Sequence, residues 1–214
     1  MDLVTLNHLP FAAANVPVSR NPTLSTNPFF EIAIRYELDP YWVCRHLNID
    51  IDSSSPETLA KTKLWTWKRF GQTTTTLPDG RIVYIGGEHE DWYDPMFFIF
   101  NDVVIENPET GRFDLYRYPL SVFPPTDFHT ATLDPIRRCI WIIGCLGNVG
   151  QRGTKTPVYR LDIDTFRIEQ VQTRGDESPG WIWGHEARLE GNNGIIVVTD
   201  KTWRLDLTEK TWTH

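Results

Sequence analysis

The sequence predicts an all-β fold made of repeated, propeller-like blades, and three observations point to it. One plan recurs along the chain: a polar or His-bearing run, a turn, then a hydrophobic run ending near Gly. It reads Phe70-Gly71-Gln72 through Leu77-Pro78-Asp79-Gly80 into Arg81–Gly87, then Phe128-His129-Thr130 through Asp134-Pro135 into Cys139–Gly144. The third copy reads Gly184-His185-Glu186 through Gly191–Gly194 into Ile195–Thr199. Self-similarity at a period of roughly 50 residues is the signature of a repeat array. The second observation is a shared continuation, in which Arg160-Leu161-Asp162-Ile163 recurs as Arg204-Leu205-Asp206-Leu207 before a tight turn and an aromatic strand from Phe166 or Trp212. The third is composition: 15 Pro, 14 Gly and 13% aromatic residues suit many short strands joined by turns.

In chain order, residues 1–26 are rich in Asn, Pro, Ser and Thr and predict an extended arm. Residues 27–214 are expected to form a single domain, with clear repeats at 70–118, 128–172 and 184–214. Phe30, Ile32, Ile34, Tyr36 and Leu38 alternate with Glu31, Arg35 and Glu37, the period of a half-buried strand. Asp39-Pro40 then predicts a short helix through Leu47, with Asp as N-cap and Pro in the first turn. Ser55-Pro56-Glu57 repeats that start signal before Leu59-Ala60. Leu64-Trp65-Thr66-Trp67 returns to strand alternation, so this segment is either a degenerate fourth unit or a cap. In the first clear unit Asn107-Pro108-Glu109-Thr110-Gly111 supplies the later turn, followed by Phe113.

A hydrophobic strand ending in double Gly, an Asn/Asp-Pro-Glu-Thr turn and an aromatic strand resemble Kelch repeats over roughly residues 64–214. Double Gly stands at Gly86-Gly87, whereas the matching sites read Gly144-Cys145 and Thr199-Asp200, and Glu106 replaces the usual Tyr of the third strand. The resemblance implies a Kelch-like small or incomplete β-propeller of three four-stranded blades. Propellers have four to eight blades as a rule, so the chain must recruit its N-terminal segment, stay open, or form a homodimer to protect its edges.

The resemblance also implies where loops emerge, because first-to-second and third-to-fourth connections of such a blade share one face. That set is short here: Leu77–Gly80, Asp134–Arg138, Glu190–Gly194, Asn107–Gly111 and Asp164–Thr165. The opposite set is longer: Glu88–Pro95, Tyr118–Asp127, Leu146–Pro157 and Thr173–Trp183. Long loops on a rigid scaffold carry function. Two of them combine acids with aromatics: Glu88, His89, Glu90, Asp91, Trp92, Tyr93 and Asp94 in one, and Asp176, Glu177, Trp181 and Trp183 in the other. Trp and Tyr serve as interface anchors, and clustered carboxylates steer a basic partner.

Charge and missing motifs narrow the function further. Net charge is −7 with pI near 5.3, which argues against direct binding of a phosphate backbone. Cys44, Cys139 and Cys145 show no CxxC spacing, and Cys139 and Cys145 sit where buried thiols belong. The start Met1-Asp2-Leu3-Val4 has no signal-like h-region, and no apolar run approaches the roughly 18 residues of a membrane span. The expected compartment is therefore the cytoplasm. Gly144, Gly147, Gly150 and Gly153 are spaced by three, but the order of a phosphate loop is lacking and a flexible loop is expected. Glu88, His89, Glu90, Asp91 and Asp94 lack zinc-finger or calcium-loop spacing, so neither a metal nor another cofactor is expected. No nucleophile motif occurs. His129 and His185 occupy equivalent repeat positions, which predicts a repeated structural hydrogen bond rather than catalysis.

The expectation is a non-catalytic module that binds a protein with a basic surface, such as an immunity protein neutralising a nuclease toxin. An adaptor that presents clients, or a sugar-binding or sugar-modifying propeller whose Trp faces stack on pyranose rings, are the alternatives.

Overall fold

The computed structural model describes residues 17–46, 64–89, 97–175 and 177–214. A two-residue strand, β1 (Thr23–Leu24), leads into two short helices, α1 (Phe29–Arg35) and α2 (Pro40–His46). Blade 1 follows as β2 (Thr73–Thr76), β3 (Ile82–Ile85), a small hairpin of β4 (Glu88–His89) and β5 (Phe98–Ile99), then β6 (Asp102–Asn107) and β7 (Arg112–Arg117). Its sheet order is β2-β3-β6-β7, with β1 added on β7 so that Thr23 faces Arg117. Blade 2 is β8 (Thr130–Asp134), β9 (Cys139–Ile143), β10 (Val158–Asp162) and β11 (Ile168–Gln170). Blade 3 is β12 (Glu186–Glu190), β13 (Gly194–Val198), β14 (Thr202–Asp206) and β15 (Trp212–Thr213). Each blade is an antiparallel meander, and β2, β8 and β12 lie side by side at the inner edge. The expected all-β architecture of three four-stranded propeller blades is what the chain forms. The runs at 81–86, 139–144 and 194–199 hold one place, as second strands.

Side-chain alternation explains why the sheets stack. In blade 1, Val83, Ile85, Val103 and Ile105 pack against Ile140, Ile142, Tyr159 and Leu161 of blade 2. The other face of blade 2, with Cys139, Trp141, Ile143 and Val158, meets Ile195, Val197, Trp203 and Leu205 of blade 3. β9 is buried along its whole length because it has a blade on either side. Each such buried Ile or Val contributes about 1.5–3 kcal/mol.

Four of the short connections share one device. Asn107, Asp134, Asp162 and Asp206 each accept two backbone N–H bonds through Oδ1, from Glu109 and Thr110, Ile136 and Arg137, Asp164 and Thr165, and Thr208 and Glu209. An Asx side chain thereby satisfies the turn's own donors. This accounts for the repeated Arg-Leu-Asp-aliphatic stretches: the Leu is core and the Asp sets the turn.

The N-terminal segment corrects one expectation and resolves another. Residues 29–35 form a helix, not the strand expected over Phe30–Leu38. Phe29, Phe30, Ala33 and Ile34 form its buried stripe, with Glu31 and Arg35 paired at 2.8 Å on the solvent side. The period-2 pattern was misleading because it counted Tyr36, which is exposed, and passed over Phe29 and Ala33. The stripe covers Val104 and Leu115 on the outer face of blade 1, together with Trp65 and Phe100. Apart from a bridging residue at Leu64, residues 64–67 run as irregular chain, so the described part of this segment is a cap rather than a fourth blade. α2 starts as expected, with Asp39 Oδ1 accepting the Trp42 N–H at 3.2 Å. Residues 1–16 of the expected arm and the helix start at Ser55-Pro56-Glu57 lie outside the described residues.

Asp102 ties the cap to blade 1. Its carboxylate takes Arg69 Nη1 at 2.5 Å and Trp65 Nε1 at 2.5 Å, and the Arg69 guanidinium, itself fully buried, also donates to the Gly86 carbonyl and lies 3.6 Å from the Phe100 ring centre. Among the described residues, no helix is long and apolar enough to cross a membrane.

Candidate functional site: the long-loop face

The described parts of the connections predicted to share a face meet at one end of the blades. Thr126 O accepts the Gly87 N–H at 2.8 Å, so the link between blades 1 and 2 grips the end of β3. Asp127 O accepts Leu146 N–H, and its buried Oδ1 accepts Gly147 N–H at 2.7 Å, joining that link to the long loop of blade 2. The latter loop in turn meets the link into blade 3 through Cys145 N–H to Ile182 O, Thr156 Oγ1 to Gly180 O and Trp181 Nε1 to Leu146 O.

Two glycines each admit a carbonyl from the link into the next blade. Gly86 and Gly144 adopt φ of +54° and +78°, and a Cβ there would lie 2.1 Å from Thr126 O or 2.6 Å from Ile182 O. Adjacent blades are therefore latched through backbone that only glycine allows to come this close. Thr199 holds the corresponding place in blade 3, which has no described neighbour on that side.

His129 and His185 do what their equivalence predicted. Thr73 Oγ1 and His129 Nε2 are 2.7 Å apart, and Thr130 Oγ1 and His185 Nε2 are 3.1 Å apart, so each ring bonds the first strand of the preceding blade. Burial pushes His129 down to about 3, with His185 adding to the effect, and burial lowers His185 to about 4. Both rings are neutral at physiological pH. All three cysteines are buried, and burial raises the Cys145 thiol to about 12. It is thus not a thiolate nucleophile at neutral pH.

The predicted site residues fall into three groups. Glu88 is only 7% exposed, and its backbone exchanges both hydrogen bonds with Phe70. His89 is half-buried opposite Phe98. Glu90, Asp91, Trp92, Tyr93, Asp94 and Asp176 lie outside the described residues. Glu177 is exposed and sits 3.2 Å from His214. Trp181 is half-buried, with its ring over Gly147 and Gly153 of the glycine-spaced loop. Trp183 is 49% exposed, with the Arg152 guanidinium 5.7 Å from its ring centre. Among the described residues no group of three or more His, Cys, Asp or Glu is placed to hold a metal.

Phe70, Leu120 and Val149 are also exposed at this end, and sequence reasoning did not single them out. A signal existed for Phe70, which occupies the same repeat position as Trp183, three residues before a first strand. Charge on the described face is mixed: Arg152 and Lys155 project from the blade 2 loop, while Glu177, Glu186 and Asp200 are exposed around blade 3.

No protein family matches the sequence, and no curated protein does. Among solved structures the chain is similar to the β-propeller domain of the Trilobed protease from Pyrococcus furiosus, described as having an open velcro topology. Identity is 10% and the TM-score 0.35, with 69% of this chain and 43% of that one covered. This chain therefore spans less than half of that chain's length. The blade assignment rests on strand order and register alone.

Proposed function

We propose that this Kelch-like open propeller is a non-catalytic protein-binding module whose long-loop face grips a partner with a basic surface. The observation that carries the reading is the set of apolar side chains, Phe70, Leu120, Val149 and Trp183, exposed at the one end where the long loops are locked together. A rigid, partly apolar rim is suited to protein recognition. The groups most often used in catalysis have structural work here: His129 and His185 latch blades, and the cysteines are buried thiols. The acidic balance of the chain and the run Glu90, Asp91, Asp94 fit a basic partner, such as a nuclease toxin held by a cytoplasmic immunity protein. The sugar-stacking alternative is weakened at Trp183, whose ring already carries Arg152.

The test is a binding assay against a basic protein of the proposed class, a nuclease. Trp92→Ala is expected to cost about 2 kcal/mol, as a buried anchor does. Neutralising Glu90 and Asp91 is expected to slow association, the effect fading in high salt. Glu109→Ala, on the short-turn face, is expected to leave affinity unchanged. A critical Glu109 with a silent Trp92 would place the binding face at the wrong end.

A further inference from the structure

The step from one blade to the next is made twice by the same contacts. Phe128 N–H donates to Gly71 O at 2.8 Å, and the next side chain, His129, bonds Thr73. Gly184 N–H donates to Phe128 O at 2.8 Å, and the next side chain, His185, bonds Thr130. An N–H followed by one imidazole is thus the unit that each blade receives from its neighbour.

Blade 3 carries the receiving half of this unit with nothing described in it. Gly184 holds the place of Gly71 and Phe128, and among the described residues its carbonyl accepts no hydrogen bond. Glu186 holds the place of Thr73 and Thr130; it is exposed, and its carboxylate has no described partner. Both line an open groove of about 520 Å³ that runs from Trp181 to Glu186 on one side and from Val198 to Asp200 on the other. Trp183 and Val198 give it apolar walls, and Asp200 adds a second carboxylate.

Two residues set this groove apart from the seats that blades 1 and 2 offer. Thr199 stands where Gly86 and Gly144 admit a neighbour's carbonyl, so that third contact is closed in its inter-blade form. Glu186 stands where the other two seats offer the hydroxyls of Thr73 and Thr130. What remains open is the N–H site at Gly184 and, beside it, a carboxylate in place of a hydroxyl. A neutral imidazole suits Thr, whereas a carboxylate calls for a cation.

We propose that this groove takes an extended segment of a partner protein in which a backbone N–H binds the Gly184 carbonyl and the following Lys or Arg side chain pairs with Glu186. The segment would lie as residues 128–129 and 184–185 lie on their own preceding blades. This inference rests on the protein-binding reading above and narrows it to one site and one partner feature.

The probe is an acetylated peptide reproducing residues 124–132 with His129→Arg, compared with the same peptide carrying His129→Ala. Binding is followed by backbone amide chemical shifts. The expected result is saturable movement of the His185 and Glu186 amides, with the Arg peptide about tenfold tighter than the Ala peptide. Glu186→Gln should erase the preference while leaving the fold intact, and Glu186→Lys should reverse it toward a His129→Asp peptide. Equal binding of the Arg and Ala peptides, or shifts confined to residues 88–94, would overturn the groove and leave the wider reading standing. That wider reading falls separately, on the ranking of Trp92 and Glu109. Shifts at these amides that grow with protein concentration alone, with doubled mass in light scattering, would also overturn it, because the occupant would then be a second copy.

Discussion

Burying His129 with Nε2 on Thr73 commits the ring to its neutral form, and this has a pH signature. Its folded value is about 3 against an ordinary 6.5, so between those limits the unfolded chain binds a proton that the folded chain refuses. Stability is therefore full above pH 6.5 and falls as pH drops toward 3. At pH 5 the loss from this one ring is about 2 kcal/mol, and half-buried His185 adds in the same direction. Urea unfolding at pH 7.5 and 5.0 should show that loss, and His129→Gln, which places at 129 the residue found at the equivalent Gln72, should remove most of it. Gly144 is the other sensitive residue. A Cβ there meets Ile182 O and the His185 ring at 2.6 Å, at φ +78°, so Gly144→Ala is expected to cost about 2–4 kcal/mol in the same measurement. The roles of both residues were partly legible in the sequence: the repeat placed His129 and His185 in one slot and a Gly at the end of each of the first two second strands. What the repeat left out was which atoms they touch, since Thr73, Thr126 and Ile182 belong to neighbouring units.

Elements were legible where their signals are local. The blade hairpins announce themselves through Pro, Gly, Asn and Asp at fixed offsets, and the Asx turns at Asn107, Asp134, Asp162 and Asp206 are the physical content of those offsets. α1 was misread because seven residues hold fewer than two turns, too few for a period of 3.6 to outvote an accidental alternation. The Arg69–Asp102–Trp65 cluster was invisible, since its members come from the unrepeated cap and from β6 and meet only in three dimensions. It is a strong point of the cap. Removing Asp102 would leave the fully buried Arg69 guanidinium without its counter-ion, so Asp102→Ala should cost about 3–5 kcal/mol. Chemical denaturation checks the total. Loss of the T-shaped Phe30–Trp65 packing, 5.1 Å between ring centres, should appear as a changed near-UV circular dichroism signal.

At the scale of the whole molecule, three blades in line make a stack with two unlike ends. Blade 2 is packed on both faces, blade 1 is packed on blade 2 and the α1 cap, and blade 3 has a described neighbour on one face only. Amides of β13 and β14 are therefore expected to exchange hydrogen before those of β9 and β10, by native-state exchange at neutral pH. The face on which the long loops gather was legible from the repeat, because meander topology dictates it. Its charge pattern was less so: Glu88 turns inward and Arg152 covers Trp183. The forward faces change steadily along the stack. Val83, Ile85, Val103 and Ile105 on blade 1 become Trp141, Ile143, Val158 and Arg160 on blade 2, then Ile196, Val198, Thr202 and Arg204 on blade 3. A head-to-tail contact between copies does not close unless its rotation allows it, and otherwise grows into filaments. With Thr199 where Gly86 and Gly144 open the seat, and Glu186 where Thr73 and Thr130 supply a hydroxyl, blade 3 does not offer a second copy the seat that blades 1 and 2 offer their own neighbours.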